Sequence, residues 1–266
     1  MVTYGFVEAG LTRDLELARS LRTTCLEILP HWRKFPDPNP LRREVEDAGF
    51  SIHSAHGCWG GQAIDARRVD LGNTHEETRR RSVDDIRRCI DWLSDAGGRH
   101  LVVHPGGLSD FDETPRRRSI LLESLASLAD HASGDGLVIC VENMPPGVHP
   151  GSRMKDLAEL VRELNRPEVG LAIDTGHAHL VDSPASETRL SGEFLRTTHV
   201  HDNDGRQDAH LPPGLGSVDW EKWIGSLDEI GYKGPIMLEC IRYIRNHPAC
   251  LTPTFLDFIA ELAGIS

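Results

Sequence analysis

The sequence predicts an α/β fold of the (β/α)8 TIM barrel type, formed as a single domain by residues 1–266. Short β-rich apolar runs alternate along it with longer amphipathic helical patterns, the order produced by repeated βα units around a parallel sheet. Eight such runs with helices between them, in 266 residues of 39% hydrophobic content, suit one closed barrel of ordinary size. No GxGxxG turn follows the first run, which speaks against a doubly wound open sheet.

In order, the strand candidates are VTYGFV (2–7), TCLEIL (24–29), FSIHSA (50–55), HLVVH (100–104), LVICVE (137–142), VGLAID (169–174), RTTHVH (196–201) and PIMLE (235–239). Helical patterns fall at 13–22, 74–96, 116–133, 153–165, 219–230 and 253–263. Within 153–165 the apolar residues Met154, Leu157, Leu160, Val161 and Leu164 recur with the 3.6-residue period of one helix face. Glycines punctuate several strand entries, at Gly97 and Gly98, Gly134 and Gly136, and Gly231 and Gly234. The stretch Pro30 to Pro40 reads as a loop on one barrel face, because proline removes a donor and restricts the residue before it. No low-complexity tract or linker interrupts the alternation.

The formal net charge is −12 with only four lysines, so the surface as a whole repels nucleic acid and anionic membranes. Arginines cluster at 79–81, 87–88 and 116–118, in helical segments with acids such as Glu76, Glu77, Asp84 and Asp85 nearby, and read as solvated helix faces. There is no run of eighteen apolar residues, and MVTYGFVEAG lacks a basic region followed by an apolar one, so a soluble, cytoplasmic protein is expected. Cys25, Cys58, Cys89, Cys140, Cys240 and Cys250 are scattered without a CxxC pair and are expected to be reduced and mostly buried.

Most of the strands end in a side chain able to bind a metal. His56 follows FSIHSA, His104 ends HLVVH, Glu142 ends LVICVE, Asp174 ends VGLAID, His199 sits at the end of the seventh strand and Glu239 ends PIMLE. In a barrel those positions share the C-terminal face, where such folds carry their sites. A capping acid or a hydrogen-bonded core histidine explains any one of them, but unpaired carboxylates closing apolar strands are costly to bury. Oxygen and imidazole donors without thiolate suit Zn, Mn, Fe or Co. Cys140 lies one layer below Glu142 on the same strand face and reads as packing, while Trp59 either walls a ligand pocket or packs the barrel mouth.

The stretches GFSIHSAHGCWG, LVVHPGG, VENMPPG, LAIDTGHAHL, THVHDNDGRQDAH followed by LPPGLGSVDW, and IMLEC resemble the xylose isomerase-like TIM barrel superfamily of sugar isomerases and epimerases, which also contains endonuclease IV. The resemblance runs from the third strand to the eighth. It implies a single-metal set of Glu142, Asp174, His199 and Glu239, as in the sugar epimerases. The three-metal set of endonuclease IV would add His56, His104, His177, Asp208 and His210, all present here. One to three divalent ions, zinc or manganese, are therefore expected. The acidic chain shows no obvious basic DNA-reading loops, which sets it apart from endonuclease IV.

Two chemistries follow from that resemblance. In an isomerase or epimerase, a divalent metal polarises sugar oxygens while Glu142 and Glu239 take and return a proton, His177 orients a sugar oxygen, and Arg242 holds a distal hydroxyl or phosphate. In an endonuclease IV-like phosphoesterase acting on a small phosphoester or abasic DNA, metals about 3.5–4 Å apart generate hydroxide and clamp the attacking and leaving oxygens. Three ions against Glu142, Asp174, Asp208 and Glu239 leave an excess of positive charge that attracts phosphate. One ion against Glu142, Asp174 and Glu239 leaves a net negative charge, suited to a neutral sugar. The expected ligand is a small sugar or sugar phosphate rather than nucleic acid. Trp32, Phe35 and Trp59 are candidates to line a mouth shared between subunits of a homo-oligomer.

The stretch THVHDNDGRQDAH crowds three histidines and three aspartates into thirteen residues. Strand alternation does not choose between His199 and His201, which are two apart and face the same side. The resemblance assigns the ligand slot to His199. It leaves His201 as a neighbour and Asp202 as a supporting partner, with Asp204 in the loop and Asp208 and His210 deciding between one ion and several.

Overall fold

The computed structural model describes residues 2–7, 12–32, 35–59 and 68–262. Its strands are β1 (Val2–Val7), β2 (Cys25–Ile28), β3 (Ser51–His56), β4 (His100–Val103), β5 (Val138–Glu142), β6 (Val169–Asp174), β7 (Leu195–His199) and β8 (Ile236–Leu238). Each falls on one of the eight expected runs. They form one sheet in the order β7-β6-β5-β4-β3-β2-β1-β8. Every ladder is parallel, β1 pairing with both β2 and β8. The ring closes through a parallel bridge between Val200, just past β7, and Leu238. The fold is thus the (β/α)8 barrel that the sequence predicts.

Strand alternation sorts the side chains. Ile139 and Val141 of β5 and Leu171 and Ile173 of β6 join the main apolar core under the helices. Their neighbours Cys140 and Ala172 pack with Val102 of β4 in a separate small cluster inside the barrel. The next inward positions are Glu142 and Asp174, so polar donors cap a thin apolar plug. Cys140 is packing, as its strand position implies.

The helices are α1 (Thr12–Ser20), α2 (Asn39–Asp47), α3 (Glu76–Ala96), α4 (Thr114–Ala132), α5 (Met154–Leu164), α6 (Thr175–His179), α7 (Pro184–Ser191), α8 (Trp220–Glu229), α9 (Ile241–Asn246) and α10 (Pro253–Leu262). The six long patterns are all present, although residue 263 lies outside the described residues. The expected loop from Pro30 to Pro40 ends early, because α2 starts at Asn39 with Pro40 in its first turn, where a missing N–H costs nothing. Residues 33 and 34 of that loop lie outside the described residues. Helix α2, at the end of the proline-bounded stretch, and the short α6, α7 and α9 were not expected; the last three span too few residues to show a period.

The basic stretches mostly do form solvated faces, with Arg79 2.8 Å from Glu76 and Arg118 2.6 Å from Glu163. Arg117 is the exception. It is buried, 2.8 Å from Asp70, and donates to the His149 carbonyl at 3.0 Å, tying two loops at the barrel mouth. Five of the six cysteines are buried and Cys250 is half-buried. Among the described residues no helix is long and apolar enough to cross a membrane.

Candidate active site

The six strand-end donors gather at the C-terminal mouth of the barrel. His56, Glu142, Asp174 and His199 are the last residues of β3, β5, β6 and β7, and His104 and Glu239 come directly after β4 and β8. One donor atom from each of Glu142, Asp174, His199 and Glu239 lies within 4.8 Å of the others, and His56, His104 and Glu142 form another such group. His199 Nδ1 is 2.8 Å from Glu142 Oε1 and 3.2 Å from Glu239 Oε2. Glu142 Oε2 faces His104 Nε2 at 3.2 Å and His56 Nε2 at 3.6 Å.

A further group, His177, His201, Asp208 and His210, meets the same 4.8 Å spacing beside Asp174. Asp174 caps α6 by accepting the His177 N–H at 2.7 Å, which is why Asp, Thr, Gly and His stand in that order at the end of β6. Asp202 and Leu211 pair in antiparallel fashion through N–H···O bonds of 2.7 and 2.9 Å, folding 203–210 back over the mouth. That return brings Asp208 Oδ2 to 3.3 Å from both His177 Nε2 and His210 Nε2. His210 holds a left-handed backbone, φ 45°, and its Nδ1 is 2.8 Å from the Glu239 carbonyl. Non-glycine residues adopt that conformation at a cost, and it concentrates at functional sites.

At most members of the cluster neighbouring charges outweigh burial, although at His104 burial prevails. Burial pushes the Glu142 carboxyl up, but His199, His104 and His56 override it and hold it well below the usual range. Burial likewise works against His199, yet Glu239, Glu27 and Glu142 raise it well above an ordinary imidazole. His177 is lifted to about 10, Asp174 and Asp208 outweighing its desolvation, and His210 also to about 10, chiefly through Asp208 and Glu239. Without a metal the mouth is a lattice of carboxylates facing imidazoles, of which His199, His177 and His210 are raised and His104 is lowered by its burial.

The family pattern described as xylose isomerase-like TIM barrel matches residues 12–262. The chain belongs to that family. An uncharacterized protein of Methanocaldococcus jannaschii, MJ1311, is 29% identical over 181 residues, 64% of this chain and 60% of the relative. A ketose 3-epimerase of Arthrobacter globiformis is 26% identical over 214 residues, 77% of this chain and 71% of the relative. Matches to the first three curated relatives span 60%, 69% and 63% of their own length. A solved D-tagatose 3-epimerase-like protein superposes with a TM-score of 0.80 at 24% identity, covering 98% of this chain and 99% of the other, a likeness of fold.

In this xylose isomerase-like barrel the donors fit a divalent cation. His56, His177 and His210 each place Nδ1 2.7–2.8 Å from a backbone carbonyl, of Gly57, Asn143 and Glu239 respectively. A carbonyl only accepts, so Nδ1 carries the proton and Nε2 is the atom turned to the carboxylates, the arrangement that orients metal-binding histidines. Glu142 Oε2 and Glu239 Oε2 are buried, and the contacts described for them are to imidazole nitrogens at 3.2–3.6 Å.

The remaining residues singled out in the sequence divide. Trp59 packs edge-on to His56, centroids 4.5 Å apart, and lies 6.4 Å from His104, bordering the mouth. Arg242 is exposed at the start of α9, outside the donor groups. His201 is more than a neighbour, since its buried Nε2 sits 3.1 Å from Asp174 Oδ2 and its ring stacks on His210 at 3.9 Å. Asp202 does not support His199. Its carboxylate accepts from Gly214 N, Val218 N and Trp220 Nε1 at 2.9–3.1 Å and so shapes the following loop, because its strand has already left the sheet.

Glu27 was missed. It is fully buried on β2, with Oε1 2.9 Å from His199 Nε2 and Oε2 accepting the Ser54 hydroxyl at 2.6 Å. The signal was available: a carboxylate inside the apolar run TCLEIL is as costly to bury as one at a strand end.

Proposed function

We propose that this protein is a cytoplasmic, single-domain, metal-dependent isomerase or epimerase of a small sugar or sugar phosphate. The convergence of Glu142, Asp174, His199 and Glu239 within 4.8 Å at the barrel mouth carries the reading. These four residues would hold one zinc or manganese ion, which supplies polarisation of the substrate's carbonyl and hydroxyl oxygens. The ketose 3-epimerase relative acts on substrates of that class, in which a carbon–hydrogen bond lies next to a carbonyl.

Glu142 is held in its charged form by the imidazoles around it, which outweigh its burial, and would accept the proton from that carbon. Glu239, which comes from β8 rather than β5 and meets the same His199 Nδ1, would return a proton to the other face for epimerisation or to the adjacent carbon for isomerisation. His177 Nε2 would donate to a sugar oxygen, Trp59 would wall the pocket, and Arg242 would hold a distal group such as a phosphate. Incubation with ketoses in deuterated buffer tests this reading. Deuterium should enter the carbon beside the carbonyl, and Glu142→Gln and Glu239→Gln should each slow that exchange by about 100- to 10,000-fold. Full exchange in either variant removes the two-glutamate scheme.

A second reading is favoured by the other donor groups. With His56, His104, His177, Asp208 and His210 also loaded, the mouth would hold up to three ions and suit a small phosphoester. Metal content separates the two readings: one ion per chain supports the isomerase, three the phosphoesterase.

A further inference from the structure

Each imidazole facing the mouth must present one nitrogen to it, and something behind the ring has to decide which. Behind His56, His177 and His210 that partner is a backbone carbonyl. Behind His199 it is the carboxylate of Glu27, 2.9 Å from Nε2. Nε2 donates to the Glu27 carboxylate while Nδ1 faces the mouth, where Glu142 and Glu239 lie at 2.8 and 3.2 Å, so a cation taken up by Nδ1 would leave the remaining proton on Nε2.

Glu27 is itself held. Its other oxygen accepts the Ser54 hydroxyl at 2.6 Å, and both residues are fully buried. The β2–β3 register slips by one residue at His53, so Ser54 stands opposite Glu27. With both oxygens engaged the carboxylate cannot rotate, and the His199 plane is fixed from below while His56 stacks on it, centroids 5.5 Å apart. Burying this carboxylate is expensive, and an apolar residue would pack the site at less cost.

We propose that Glu27 is a positioning residue, which locks the orientation and tautomer of His199 and thereby sets how tightly the mouth binds its divalent ion. The proposal rests on the reading that Glu142, Asp174, His199 and Glu239 hold that ion. Groups behind metal-binding histidines alter affinity by about 10- to 100-fold.

The test loads metal-free protein with Co(II) and measures affinity by chelator competition, together with the shifted exchangeable proton of the His199 Nε2–H in the proton NMR spectrum. Glu27→Gln keeps the shape and loses the charge, and should weaken binding by about 10-fold while retaining the proton signal. Glu27→Leu should weaken it by about 100-fold and lose the signal to solvent exchange. If Glu27→Leu does not fold, the Gln variant decides alone. Wild-type affinity in whichever variants fold overturns the role of Glu27. A wild-type protein that binds no Co(II), or binds it equally well as His199→Asn, overturns the reading of the site and the proposal with it.

Discussion

Gly176 sits in α6 with the His201 ring almost on top of it. A Cβ built there would lie 1.8 Å from His201 Cε1, 2.4 Å from Nδ1 and 2.6 Å from Nε2. Restoring the 3.4 Å at which ordinary contact begins moves the ring by about 1.6 Å. That displacement breaks the 3.1 Å contact with Asp174 and the 3.9 Å stack on His210. Helix propensity alone says Gly176→Ala should stabilise by about 0.8–1 kcal/mol. Overpacking of about 1–3 kcal/mol and loss of a charged hydrogen bond worth about 1.5–3 kcal/mol reverse the sign, for a net loss of about 1.5–5 kcal/mol. Urea unfolding of metal-free protein measures it. In the double variant Gly176→Ala, His201→Ala the overpacking should vanish with the clashing ring, leaving it about as stable as His201→Ala alone. A neutral or stabilising Gly176→Ala, or strict additivity in the double variant, refutes the reasoning.

Two further predictions concern charge and the loop. The His177 imidazole is raised to about 10 from 6.5, so its contribution to folding is fully present below pH 6.5 and fades as pH rises through 10. Chelated protein should therefore melt at progressively lower temperature across that window while metal affinity rises, because protons and metal compete for the same nitrogens; a flat melting profile counts against the ion-pair lattice. Asp202→Asn turns an amide toward N–H donors that now meet a carboxylate, and should cost about 2–3 kcal/mol in denaturant and blur the near-ultraviolet signal of Trp220; unchanged stability would show that Asp202 does not organise the loop.

The strands were legible because burial on both faces of a parallel sheet writes itself as continuous apolar runs, and a polar residue closing such a run stands out. His56, Glu142, Asp174 and Glu239 were visible for that reason. Glu27 stands out by the same burial cost in the middle of its run, but its role does not, because its partner His199 lies 172 residues away. The place of His201 depended on contacts no local pattern carries. Whether it idles or joins Asp174 is decided by Gly176 on another strand's loop and by the return of His210 through the Asp202–Leu211 pairing. Asp202 was misassigned because spacing from His199 says nothing about where the chain turns. Helices α6, α7 and α9 escaped because five, eight and six residues are too few to display amphipathic rhythm.

The barrel closes unevenly. Seven strand pairs share ladders, but β7 meets β8 only through the Val200–Leu238 bridge. Two backbone bonds of 2.7 and 2.9 Å hold it, with the Thr198 hydroxyl accepting from Met237 N in place of a third. His199 and Glu239 flank this seam, one on each side. An ion gripped by both would act as a rivet across the thinnest joint of the cylinder, so loading the site would tighten the wall as well as equip the mouth. The protein's resistance to opening and its readiness to react would then rise and fall together with the metal supply.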